Sequence, residues 1–169
     1  DEAELFLNGK SLGRKKKGPY EYRLKWEDVV YQPGELKAVA YRKGREWAES
    51  YVATTGNAVA LKLTPDKQSV RSDGDDLVFV RVSFVDSKGR EVPTAENVIS
   101  CKVEGKGRIV ATDNGDPACL IPFQGPTRPA FNGLYLAIVK PEYGTEGLLR
   151  LTVEAEGMPQ QELKIKVEK

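Results

Sequence analysis

The sequence contains no histidine. Hydrolases in which an imidazole relays the proton are therefore excluded. So are Cys–His zinc sites and most transition-metal centres, which depend on imidazole ligands. Any acid–base chemistry would fall to carboxylates, Lys, Tyr and Cys. No apolar run reaches the roughly 18 residues of a membrane-crossing helix, and no signal-peptide pattern is visible. Cationic excess is also missing. Lys and Arg number 26 against 25 Asp and Glu, a formal charge of +1. Nucleic acid is not expected as a partner, because phosphate binding needs clustered positive charge. The one basic cluster, Arg14-Lys15-Lys16-Lys17, reads as a solvated edge segment, where lysines block unwanted strand pairing.

Cysteine is scarce: Cys101 and Cys119 only. In a secreted protein the two could pair. An immunoglobulin disulfide, however, spans a longer interval with a Trp between its partners, and here Trp26 and Trp47 both lie upstream. The preferred reading is a buried strand thiol at Cys101 and a loop thiol at Cys119.

What is present is β-sequence. In Glu4–Gly13, the run Leu5-Phe6-Leu7 meets Asn8-Gly9 and continues as Lys10-Ser11-Leu12. Asn-Gly between two such runs signals a hairpin, since a type I′ turn needs two residues that accept positive φ. Tyr20–Trp26 alternates strictly, with Tyr20, Tyr22, Leu24 and Trp26 on one side, and predicts a half-buried strand. Pro33-Gly34 marks a turn. Leu36–Arg42 and Glu46–Val52 predict a second hairpin about Lys43-Gly44. The small polar stretch Thr54–Asn57 ends this pattern, and eight of the fourteen aromatics precede it.

Beyond it, strands are expected at Val59–Leu63, Leu77–Val85, Ile99–Val103, Arg108–Thr112, Leu134–Val139, Leu148–Ala155 and Leu163–Val167. An irregular connection rich in Pro is expected over 117–133. No window has helical period, and short strands between close turn signals mean β-sandwiches. The expected fold is all-β: two tandem Ig-like β-sandwich domains, 1–57 and 58–169. The opening Asp1-Glu2-Ala3 suggests a piece excised from a longer protein, with the first strand of the first domain missing. A domain of that size would bury only about 60% of its unfolded surface and should lean on a neighbour.

Three candidate sites follow. The acidic loops carrying Asp73 and Asp75, and Asp113 and Asp116, offer clustered oxygens of the kind calcium takes, although Asp, Asn and Gly are also ordinary turn residues. Tyr20, Tyr22, Trp26 and Trp47 could stack on sugar rings; the competing reading makes them the core of the small domain or its seam with a neighbour. Glu21, Glu35, Glu49 and Glu154 fall at outward positions of alternating strands, as on a solvated sheet face, and no catalytic residue is assigned.

The hairpin Glu4–Gly13 resembles a segment of family 2 glycoside hydrolases, chiefly the Bacteroides-type β-galactosidases. Trp26-Glu27-Asp28-Val29, Pro33–Tyr41 and Thr54-Thr55-Gly56 continue the likeness in order. Leu61–Pro65, Asp73–Leu77, Val92–Ala95, Asp113–Pro117 and Phe131-Asn132-Gly133 are similar to the family's C-terminal invasin-like domain. The resemblance implies a parent enzyme that hydrolyses terminal β-galactosides with retention, using two glutamates on a (β/α)8 barrel. A barrel needs about 250 residues, and none of its motifs is present, so no catalytic role carries over. The implied partners are that barrel and the parent's other domains, with carbohydrate as a further candidate. The implied location is the periplasm or outside a bacterial cell. A carbohydrate-binding module and a tandem Ig-like adhesin are the rival functions; the two units show no mutual repeat, which counts against the adhesin.

Overall fold

The computed structural model describes residues 2–169. It is all-β, with no helix among those residues, and it divides into two compact units, Asp1–Thr54 and Thr55–Lys169.

The first unit is one antiparallel sheet. Its strands are β1 (Glu2–Leu7), β2 (Lys10–Lys16), β3 (Glu35–Arg42) and β4 (Arg45–Ala53), in the order β2-β1-β3-β4. The β1–β2 hairpin turns where Asn-Gly predicts it. Asn8 and Gly9 both take positive φ, 51° and 79°, the geometry of a type I′ turn. The Asn8 side chain then does a second job. Its Oδ1 accepts from the Glu35 amide at 2.8 Å and its Nδ2 donates to the Pro33 carbonyl at 3.1 Å. This amide fixes the entry of β3 beside β1. Gly34, at φ 134°, sits so close that a Cβ there would be driven into the Asn8 side chain.

Cross-strand register separates two sheet faces. Ala3, Leu5, Leu7, Leu36, Ala38, Ala40 and Val52 share one face, because directly opposed residues project to the same side. The other face sets Phe6 and Val39 among polar groups: Arg14 pairs with Glu2 at 2.7 Å and lies over the Tyr41 ring, while Ser11 and Tyr41 both donate to Glu4. Val39 is the one fully buried hydrophobic side chain among the described residues of this unit. Leu5, Leu7 and Leu12 are only half-buried.

The strand expected at Tyr20–Trp26 does not form. Residues 17–34 carry no ladder, and Tyr20 and Tyr22 stand 98% and 81% exposed. Alternation of side chains favours an extended backbone, but a strand also needs a neighbour to take its N–H and C=O groups. In this sheet β2 and β4 hold the edges. The segment is instead tied down by side chains: Lys15 Nζ donates to the Lys25 carbonyl at 2.6 Å, and the Trp26 indole donates to the Gly13 carbonyl at 3.1 Å.

The second unit is a two-sheet sandwich. One sheet runs β5 (Ala60–Pro65), β7 (Val78–Val85), β11 (Leu134–Pro141), β9 (Gly107–Asp113). The other runs β10 (Thr127–Pro129), β8 (Val98–Gly105), β12 (Gly147–Ala155), β13 (Gln161–Glu168), β6 (Ser69–Arg71). All ladders are antiparallel except β13–β6. The short strands β6 and β10 have no period of their own in the sequence and exist by pairing with β13 and β8.

The alternating residues of the long strands meet between the sheets. Val78, Val80, Val82 and Phe84 face Ile99, Leu149, Leu151, Val153 and Ile165 in one buried cluster. Each such side chain contributes on the order of 1.5–3 kcal/mol when fully buried.

Two substitutions test these contacts. Gly34→Ala should release amide protection across β1 and β3 while leaving the second unit's protection intact, read by hydrogen–deuterium exchange. Leu151→Ala should cost about 2–5 kcal/mol in urea unfolding; a loss below about 1 kcal/mol would contradict the packing described.

Candidate functional site

The aromatic residues singled out in the sequence do not come together. Tyr20 and Tyr22 stand on the irregular segment and line a cleft of about 600 Å³ with Lys15, Lys16, Arg23 and Lys25. Trp26 is half-buried, its indole N–H committed to Gly13 and its ring under Lys15. Trp47 lies on β4, at the opposite edge of the sheet from β2, where the Arg42 guanidinium is 5.8 Å from its ring. A single four-ring platform is therefore not built, nor do these rings form the core of the first unit. What the sequence reading missed was that the basic run after Leu12 and the aromatic alternation after Gly18 line one cleft. Their closeness along the chain was the available signal.

The acidic loops use their oxygens on the backbone. Asp73 Oδ1 accepts from the amides of Asp75 and Asp76, both at 2.9 Å, and Asp73 Oδ2 faces Arg71. Those amides hold the Asp73 carboxyl below its ordinary value. Asp113 Oδ1 caps the amides of Asn114 and Gly115, and Asp116 Oδ1 that of Ala118. Among the described residues, no group of three or more His, Cys, Asp or Glu side chains converges as a metal site. The short polar side chains of Asp are closing Asx turns here.

The thiols are separate and free. Cys101 is buried in β8 with its sulfur 2.7 Å from the Tyr135 hydroxyl, which donates to the Pro126 carbonyl. Burial pushes the pKa of both the thiol and the phenol up, so both stay neutral. Cys119 belongs to the 114–126 loop, and Arg128 is what holds that loop. Arg128 is 1% exposed. Its Nε donates to Thr112 Oγ1 at 2.9 Å, and its Nη2 donates to the Pro122 carbonyl at 3.0 Å and the Ile121 carbonyl at 3.4 Å. A buried guanidinium is tolerable only when its fork is matched by acceptors in this way. Held by it, the loop presents Leu120, Ile121 and Phe123 to solvent.

Carboxyls with shifted ionisation are all pulled down: Asp73, Asp76, Asp86 and Glu104. A glycosidase needs the reverse at one position, a carboxylic acid held protonated by its surroundings. Glu21, Glu35, Glu49 and Glu154 are exposed. The strongest perturbation is at Asp86, on the turn after β7. Its carboxylate takes the Arg90 guanidinium at 2.7 and 2.9 Å and the amides of Gly56, Lys88 and Arg90. The Arg90 hydrogen bond contributes most to holding this carboxyl far below the usual range.

With these features in view, the relatives are informative. The profile of the glycoside hydrolase family 2 C-terminal domain 5 matches residues 61–164. The chain belongs to glycoside hydrolase family 2, as part of its C-terminal region. A domain described as of unknown function matches residues 1–48. The β-galactosidase BoGH2A of Bacteroides ovatus is 39% identical over 168 residues, covering 99% of this chain and 20% of that protein. A family 2 glycosyl hydrolase of Bacteroides cellulosilyticus superposes with a TM-score of 0.93 at 31% identity, covering 99% of this chain and 22% of its own. A β-glycosidase of Bacteroides vulgatus gives 0.89 at 30% identity, with 99% and 21% covered. The chain thus spans about a fifth of the length of the relatives it matches.

Asp86 has a measurable consequence. A carboxyl whose folded pKa is depressed stabilises the fold above its unfolded value of roughly 3.9, and that contribution fades as pH falls below it. Asp86→Asn should therefore lower the melting temperature at neutral pH, with the gap to the parent sequence shrinking once pH drops under about 4. A gap unchanged down to the acid limit would refute the assignment. Replacing Arg128 with Met, which keeps apolar bulk but no donors, should raise exchange in the 114–126 loop before it affects β7 or β12.

Proposed function

We propose that this chain is a non-catalytic accessory region of a longer family 2 enzyme that cleaves terminal β-galactosides with retention. Its two units pack against and space the catalytic barrel and the parent's other domains. The observation that carries this reading is the 39% identity to a β-galactosidase over 99% of this chain but only 20% of that enzyme. Two further features support it. The shifted carboxyls are stabilised as anions, which suits structural turns and not a general acid. The first unit's sheet keeps Leu5, Leu7, Leu36 and Ala40 only half-buried on one face, apolar area that a neighbouring domain of the parent would cover. Action in the periplasm or outside a bacterial cell fits an enzyme of this class.

Two measurements decide it. The isolated chain should release no chromophore from a nitrophenyl β-galactoside; turnover abolished by changing one of its own glutamates would overturn the reading. Deleting these residues from the parent enzyme should lower its melting temperature or its soluble yield while leaving the barrel's substrate preference intact. A parent unaffected in stability, assembly and yield would defeat the packing role.

A further inference from the structure

The cleft beside β2 is unlike the rest of the first unit's surface. Four cations line it, Lys15, Lys16, Arg23 and Lys25, against two carboxylates, Glu21 and Glu27. Glu21 is already engaged, since its Oε2 accepts from the Gly18 amide at 2.7 Å. None of the four cations has an ion-pair partner among the described residues, whereas Arg14 on the same strand does. Tyr20 and Tyr22 stand in the same cleft almost wholly in water. The Arg23 guanidinium is 5.1 Å from the Tyr22 ring centre, so the two present a stacked, positively charged rim.

Exposed planar rings offer flat apolar area with a polar tip, the form that suits the C–H face of a pyranose. Unpaired Arg and Lys beside those rings supply charge-assisted bonds for an anion carried on the sugar. A neutral sugar would use the rings and leave the cations idle. A bare polyanion would use the cations and leave the rings idle. The geometry points to a ligand that combines both.

We propose that this cleft is a binding site for an anionic glycan, a chain of sugar rings bearing carboxylate or sulfate groups. Lys15 is held in place by its bond to the Lys25 carbonyl at 2.6 Å, which ties β2 to the irregular segment that carries Tyr20, Tyr22 and Arg23. The site is independent of the bond the parent enzyme cleaves. It would hold the enzyme on charged, polymeric material while the barrel works elsewhere.

Calorimetry and affinity electrophoresis of the full chain, with polygalacturonate, a sulfated galactan and a neutral galactan, test this. Saturable binding to one or both charged polymers is expected, the stronger one identifying carboxylate or sulfate as the preferred anion. Affinity should fall with added salt. Tyr22→Ala and Arg23→Ala should each weaken it by about tenfold, with melting temperature unchanged because both side chains are solvent-exposed. Three results would overturn the proposal: no binding to either charged polymer, equal binding to the neutral galactan, or equal binding to a single-stranded oligonucleotide that is insensitive to Tyr22→Ala. None of these bears on whether the chain itself hydrolyses galactosides, so the accessory role stands or falls separately.

Discussion

Burial of Val80, Val82, Leu149, Leu151 and Ile165 between two facing sheets is the contact on which the second unit depends. These strands come from widely separated stretches of chain, and their ladders alone would leave each sheet with one wet apolar face. Closing the faces together removes that area from water and fixes the register, because a one-residue slip would turn the apolar set outward. The polar devices sit around this interior. Asp86 closes the turn after β7, Arg128 holds the long loop, and the Tyr135–Cys101 contact fills the place where β11 passes β8.

The first unit lacks that arrangement. One sheet has two faces, and here one mixes ion-paired side chains with Phe6 and Val39 and the other is a half-covered apolar surface. Its order rests more on local geometry, above all on the Asn8 amide bridging the hairpin turn to the start of β3. The contrast is between a unit with a closed interior and one whose sheet leaves an apolar face half-covered.

Most strands were legible because their alternation coincides with burial on a single face. Leu77–Val85 and Leu148–Ala155 are the clearest, and both appear within a residue of the expected limits. The hairpin at Asn8-Gly9 was legible because its φ requirement is local. Tyr20–Trp26 misled for a stated reason: period two reports which way side chains point along an extended chain, and pairing is decided by distant residues. The same gap hid β6 and β10, which are strands only through their neighbours. Site geometry was less legible still. Alternation grouped Trp26 with Tyr20 and Tyr22, whereas the fold groups Tyr20 and Tyr22 with the lysines of β2. Nothing in a run of Pro, Gly and Cys marks Arg128 as buried, since two of its acceptors are backbone carbonyls that any residue would supply and a third, the Thr112 hydroxyl, is distant along the chain.

That last arrangement bears on how the molecule could be re-engineered. The loop between β9 and β10 is fastened at its two ends, by Thr112 and by the carbonyls of Ile121 and Pro122, all gathered on Arg128. The stretch between, Gly115 to Leu120, lies outside every ladder. Foreign sequence grafted there would inherit a rigid frame without drawing on the sandwich beneath it, which makes this loop a natural place to display a peptide or attach a further module.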